Sequence, residues 1–233
     1  MLLPSFGEAL GLLVSGDREL LAITANSLNF AICSTVIAAL IGIPLGIVTT
    51  LREFPGKRAV ISVSYTLMGL PTVVVGLLVF SLLSRSGPLG GFGLLFSPAA
   101  VIIGQAILAL PIVVSLVYGG LARLDPELYE TLITLGGSRL QRTVKIVREA
   151  RISVAAAVLT AFGRVVGEVG AAMMLGGNIR WYTRTITTAI ALETAKGAFT
   201  LSVALGIVLM VVAFGVNFGL NYLVKLRPRG RIL

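Results

Sequence analysis

Four stretches of this chain carry no Asp, Glu, Lys or Arg: Leu20–Leu51, Ala59–Ser84, Ser86–Ala122 and Gly197–Val224. Each exceeds the roughly 20 residues that a helix needs to cross a hydrocarbon core. A fifth, Ile152–Ile179, holds only Arg164 and Glu168 as charged residues. Inside a bilayer no water satisfies the backbone, so runs of this kind fold as helices that bond their own N–H and C=O groups. The reading is an all-α integral membrane protein with five transmembrane helices. Composition agrees, with 56% hydrophobic and 12% charged residues, well outside the usual soluble balance.

The net charge of +9 invites a nucleic-acid partner, but its distribution argues against one. Thirteen of the nineteen basic residues fall in three places: Arg52, Lys57 and Arg58; Arg123, Arg139, Arg142, Lys145, Arg148 and Arg151; and Lys225, Arg227, Arg229 and Arg231. With five spans all three lie on one side. The positive-inside rule then makes that side cytoplasmic, with the N-terminus outside and the C-terminus inside. The charge is topological, and no nucleic acid is implied.

Several chemistries are excluded. There is no histidine, and Cys33 is alone within the first span, so a histidine metal site, a His-based triad and an intrachain disulfide all fall away. The Gly56-Lys57 pair sits in Pro-Gly-Lys-Arg, without the spacing of a phosphate-binding loop. The reading is not an enzyme: no catalytic or metal residues, and no cofactor in this chain. Any ATP used must be bound by another subunit.

Residues 1–19 lack a basic start and are not read as a cleaved signal. Leu3, Phe6, Leu10 and Leu13 recur at helical spacing, which predicts a short amphipathic helix on the outer leaflet. The first span, about 20–51, contains Gly42-Ile43-Pro44, which predicts a kink. Spans two (about 59–83) and three (about 98–121) carry prolines in similar settings, Gly69-Leu70-Pro71-Thr72 and Ala109-Leu110-Pro111-Ile112. Each proline frees a carbonyl that lipid cannot satisfy, so Pro71, Thr72 and Pro111 are candidate pathway-facing positions. A static packing kink is the alternative. In span four (about 152–175), Arg164 and Glu168 lie four apart and can pair. A charged pair inside a span faces protein or water, which makes it a candidate for the outer mouth or a structural ion pair. Gly163, Gly167 and Ala171 form a small-residue stripe that suits close helix packing, within one subunit or between two. The connection Gly176–Ala198 is rich in donors, among them Asn178, Arg180, Arg184, Thr187 and Thr188. Donors of this kind suit an oxyanion, although an ordinary solvated loop reads the same way. Span five covers about 199–224 before the basic tail.

The one long polar segment is Asp125–Arg151. Asp125 suits an N-cap, Pro126 the first helical position, and Glu127 the positive end of the helix dipole. Gly136-Gly137 ends that helix and Ser138 caps a second, on which Leu140, Val144 and Val147 share a face. Two short amphipathic helices meeting at a glycine turn make a docking handle for something outside the membrane.

In that segment, Glu130-Thr131-Leu132-Ile133-Thr134-Leu135-Gly136-Gly137-Ser138 resembles the Glu-Ala-Ala…Gly loop of ABC importer permeases. Glu-to-Gly spacing and position relative to the C-terminus match, while Thr131 and Leu132 replace the usual alanines and Arg148-Glu149 the usual Leu-Pro. Gly167-Glu168-Val169-Gly170, Gly176-Gly177-Asn178-Ile179 and residues 183–194 look like the tungstate importer permeases, relatives of molybdate permeases. The resemblance implies a permease of an ATP-driven importer for tungstate or molybdate, with another oxyanion such as sulfate, or a stand-alone carrier, as alternatives. It implies a second permease copy, two ABC ATPase subunits holding ATP and Mg, and an extracytoplasmic substrate-binding protein, in the lipid of the plasma or inner membrane. Glu130, Thr131, Gly136, Gly137, Ser138 and Arg139 would contact the ATPase. The domain reading is an external segment 1–19, a transmembrane domain 20–224 with coupling loop 122–151, and a cytoplasmic tail 225–233.

Overall fold

The computed structural model describes residues 2–225, and their side chains except at positions 2–5, 126, 129, 130, 139 and 224. The tail 226–233 lies outside the described residues. The elements are α1 (Leu2–Ser15), α2 (Arg18–Leu51), α3 (Lys57–Met68), α4 (Thr72–Leu83), α5 (Pro98–Leu121), α6 (Pro126–Thr134), α7 (Arg139–Glu149), α8 (Arg151–Val166), α9 (Gly170–Gly176), α10 (Ile186–Ala195) and α11 (Phe199–Lys225). Among the described residues every regular element is helical, the eleven α-helices being joined by one 3₁₀ turn, Gly90–Phe92.

Helix α5 is the hub. Its residues include the buried Gly104, Gln105, Ala109, Pro111, Val113, Ser115 and Val117, and α2, α3, α4, α8 and α9 all pack against it. Glycines bring α2 close: a Cβ at Gly42 would sit 2.9 Å from the Val113 side chain, and one at Gly46 would sit 2.8 Å from that of Val117. Both values lie well inside the ~3.5–4.0 Å of ordinary carbon contact. A larger residue at either position would push the two helices apart. The outward faces are apolar and open, as at Leu40 on α2, Leu78 on α4 and Phe218 on α11. In water such surface would be costly; against lipid or another apolar helix it is not.

Three helices, α2, α5 and α11, are long and apolar enough to cross a membrane. The expected second and fourth spans are each broken. Helices α3 and α4 meet at 105°, and α8 and α9 at 63°. The two prolines therefore differ. At Pro71 the helix stops: Gly69 and Leu70 close α3 with tight bonds to Thr66 and Leu67, and Pro71 opens α4. At Pro111 helix α5 runs on unbroken, as α2 does through Pro44. Glycine weakens the helix before Pro71, whereas Ala109 and enclosure on several sides hold α5 together. The small-residue stripe also divides at the bend: Gly163 faces Val216 on α11, while Ala171 packs against Gly76 on α4.

Candidate pathway breaks and coupling handle

The two breaks meet each other. A Cβ at Gly170, the first residue of α9, would lie 2.8 Å from Val73 and 3.2 Å from the Thr72 hydroxyl at the start of α4. One at Gly76 would lie 3.0 Å from the Ala171 backbone. Thus Pro71, Thr72 and the Glu168–Gly170 segment, far apart in sequence, share one locus.

Glu168 organises that locus. Its side chain is 3% exposed, its Oε1 accepts from the Ala171 N–H at 3.1 Å, and its Oε2 lies 3.6 Å from Arg164 Nη1. The carboxylate thereby caps the free N-terminus of α9, where a negative charge is favoured. The Glu168 carbonyl, released from the helical ladder, accepts the Thr187 hydroxyl at 2.6 Å. On the other side of the break, Gln105 of α5 donates to the Val165 carbonyl at 3.4 Å and accepts from Ser34 of α2 at 3.3 Å. Broken helices survive in a bilayer only where protein or pathway water meets the freed groups. Here an acid and a threonine meet them, and the glutamine adds a second donor to the Val165 carbonyl, which also accepts the Glu168 N–H at 3.1 Å. Gln105 and Ser34 were not among the sequence candidates; a glutamine in an uncharged span was the signal available.

Donors of residues 176–198 are engaged by the protein itself, some within the segment and some by α2. Thr185 and Thr188 form a capping box at the start of α10, with Thr185 N–H to Thr188 Oγ1 at 3.0 Å. Asn178, at φ 52°, donates to the Thr188 carbonyl at 3.2 Å. Thr183 bonds the Gly176 carbonyl at 2.5 Å. The segment is pinned to the start of α2: Ser27 accepts the Ile186 N–H at 2.6 Å, and Glu19 binds Arg180 through Nε and Nη2 at 2.9 and 2.5 Å, and Arg184 through Nη1 at 3.1 Å. Arg184 also lies 3.8 Å from Glu193. The Glu19 hydrogen bonds, and then its charge, raise the Arg180 pKa above its ordinary value. A solvated loop is therefore not what forms: α10 is a helix with Ile186, Thr187, Thr188 and Ala189 buried.

At the basic end, Asp125 Oδ1 accepts from the Glu127 N–H at 2.9 Å, starting α6. Gly136 takes φ 72°, a left-handed conformation that glycine adopts freely. Ser138 and Gln141 form a capping box, with Ser138 N–H to Gln141 Oε1 at 2.8 Å. Helix α7 is anchored by Ile146, 4% exposed, and by Ala150 just after it. The face carrying Leu140 and Val144 points away from the bundle; with Leu135 it leaves an exposed apolar crest. A groove of about 470 Å³ runs beside it, lined by Leu132, Gly137, Leu140, Arg142 and Lys145 among others. Thr131 and Gly137 lie along this turn; Glu130 and Arg139 belong to α6 and α7, but their side chains lie outside the described residues.

Residues 42–227 match the family described as binding-protein-dependent transport system inner membrane component. The tungstate uptake system permease protein TupB of Campylobacter jejuni is 42% identical over 213 residues, covering 91% of this chain and 89% of that protein. TupB of Peptoclostridium acidaminophilum is 41% identical, covering 87% and 89%. A probable anion ABC transporter permease protein of Haloferax volcanii is 42% identical, covering 81% and 84%. Among solved structures, an inward-facing MetNI methionine ABC transporter chain superposes with TM-score 0.72 at 18% identity, covering 91% of this chain and 98% of that one; at that identity the likeness is one of fold. The chain belongs to the family of inner-membrane permease components of binding-protein-dependent ABC transport systems.

Proposed function

We propose that this chain is the permease of an ATP-driven importer that carries tungstate into the cell. The observation that carries the reading is 41–42% identity, over most of both chains, to two permeases of tungstate uptake systems. Sulfate and molybdenum permeases are similar at lower identity, 27% and 28%, which ranks them behind tungstate.

Each bent helix pair counts as one span, giving five with α2, α5 and α11. The basic loop and tail face the cytoplasm and the start of α2 faces outward. Two copies form the pathway between them, two ATPase subunits bind ATP and Mg²⁺ beneath, and a binding protein delivers the anion from outside. The apolar crest of α6 and α7, flanked by Arg142 and Lys145, seats in the ATPase. Glu130, Thr131, Gly136, Gly137, Ser138 and Arg139 supply that contact. Because α7 continues almost directly into α8 through Ala150, a push on the handle reaches the 63° bend as a rigid-body movement. Pro71, Thr72, Arg164, Glu168 and Thr187 then repack around that bend, while Pro111, Asn178 and Thr188 hold the flanking helices. A dianion stripped of water needs replacement donors, yet it must also leave, so few fixed positive charges line the route.

The test is reconstitution with the ATPase and binding protein. Tungstate uptake should require internal ATP, and molybdate or sulfate should compete less well. Glu130→Ala and Gly136→Pro, the latter forcing φ from +72° to about −65°, should leave ATP hydrolysis while abolishing uptake. Uptake without an ATPase, or unimpaired in both variants, would overturn the reading.

A further inference from the structure

At the basic-loop end of the bundle, a cavity of about 360 Å³ opens between α3, α5 and α8. It is separate from the two breaks and from the groove beside α7. Its walls carry Tyr65, Ser115, Gly119, Arg123, Ser153 and Thr160. Ser115 is 1% exposed, and its hydroxyl has no hydrogen-bond partner. A helical hydroxyl can bond back to a carbonyl one turn earlier, as Thr49, Thr66 and Thr160 do; Ser115 does not, and shares this with Thr24 and Thr35 on α2, but of the three only Ser115 lines this cavity. A buried donor without a partner is costly, and it marks a place where a ligand or water belongs.

Three further features give the cavity its sign. Arg123 lies at its rim on the turn after α5, and no carboxylate pairs with it among the described ion pairs. The N-terminus of α8, a sixteen-residue helix with no side-chain cap, contributes Ile152 and Ser153, so its positive dipole end meets the space. Tyr65 donates to the Ser115 carbonyl over a long 3.4 Å, which leaves its hydroxyl easily re-aimed. Glycines keep the room open: a Cβ at Gly119 would come within 3.2 Å of the Tyr65 hydroxyl, and one at Gly120 within 2.5 Å of the Ser153 Cβ. Among the described residues no acidic side chain lines the cavity.

We propose that this cavity is a release subsite for a tetrahedral oxyanion dianion, held by the Arg123 guanidinium and the Ser115 hydroxyl on the cytoplasmic side of the breaks. It rests on the reading of the chain as an oxyanion permease. A volume equal to about a dozen liquid waters, at ~30 Å³ each, holds the ion with part of its hydration shell. One exposed arginine gives modest affinity, as a site of exit requires. A lipid headgroup phosphate offers the same chemistry, and the test separates the two.

The experiment uses the permease–ATPase complex in a maltoside detergent, without binding protein, and measures equilibrium binding of sodium tungstate. Arg123→Gln should weaken binding by about tenfold or more, in line with loss of a charge-assisted hydrogen bond. Arg123→Lys should retain much of it, and Ser115→Ala should cost about three- to tenfold. Binding that is equal in Arg123→Gln, Ser115→Ala and wild type overturns the subsite, whatever uptake assays give. Unchanged tungstate binding with loss of co-purified phospholipid in Arg123→Gln assigns the cavity to a headgroup, and equally overturns it. Failure of wild-type tungstate uptake in the reconstituted system bears instead on the transport reading.

Discussion

Replacing Glu19 by Gln tests how the segment between α9 and α10 is held. Glu19 is the shared acceptor for Arg180 and Arg184, and the two arms are not equivalent. The Arg180 side chain is 58% exposed and that of Arg184 10%, against 19% for Glu19. Water and salt screen the Arg180 arm, which contributes little despite its two short bonds. The Arg184 arm carries the effect. Its Nη1 loses a charged acceptor at 3.1 Å, its Nε has no partner, and Glu193 at 3.8 Å compensates only in part. Gln keeps one carbonyl oxygen and so one weaker bond. The cost is about 1.5–3 kcal/mol, the range for hydrogen bonds to charged groups. Amide hydrogen exchange reads this directly, because the segment opens locally without global unfolding. Exchange across residues 179–185 should accelerate roughly 10- to 150-fold, while α5 stays protected. Arg184→Met should reproduce most of the effect and Arg180→Met little of it. The Arg180 pKa is raised, so its interaction is fully present at neutral pH and is lost only as pH climbs through the raised value; Arg180 therefore adds no pH dependence between 6 and 9. An Arg180 variant as damaging as the Arg184 variant, or unchanged exchange in Glu19→Gln, would refute this account.

Other outcomes follow from the same packing. Gly46→Ala inserts a methyl 2.8 Å from Val117 and should cost about 1–3 kcal/mol, seen as a lower unfolding midpoint in detergent. Gln105→Leu removes one bond from the Val165 carbonyl, which still accepts the Glu168 N–H at 3.1 Å, and one from the Ser34 hydroxyl, which still bonds the Ala31 carbonyl; it should cost about 0.5–1.5 kcal/mol, with faster exchange at Glu168 and Ala171. Thr187→Val removes the 2.6 Å bond to the Glu168 carbonyl and should cost a similar amount, whereas Thr187→Ser should restore most of it. Ser138→Ala breaks the capping box and should cost about 1 kcal/mol, confined to faster exchange in the first turn of α7.

What the sequence could disclose was whatever is encoded within a few residues. Uncharged runs marked the apolar helices, and Asp125, Gly136 and Ser138 marked the ends of α6 and α7, because caps and left-handed turns are local chemistry. The Arg164–Glu168 pair was legible because four-residue spacing places both on one helical face. The breaks were not, since Gly69-Leu70-Pro71 and Ala109-Leu110-Pro111 look alike, and the glycine-for-alanine difference decides the outcome only together with tertiary enclosure. Glu168 reads as half of an ion pair, yet its buried carboxylate oxygen caps α9, a role that exists only once the helix has bent. The donors of residues 176–198 invited an anion for the same reason: their number is visible, but Glu19, which accepts from Arg180 and Arg184, and Ser27, which accepts the Ile186 N–H, lie more than 150 residues away. The hydroxyls of that segment serve its own architecture and that of the break, and Ser115, beside an Arg123 with no carboxylate partner among the described ion pairs, becomes the better place to look for an ion.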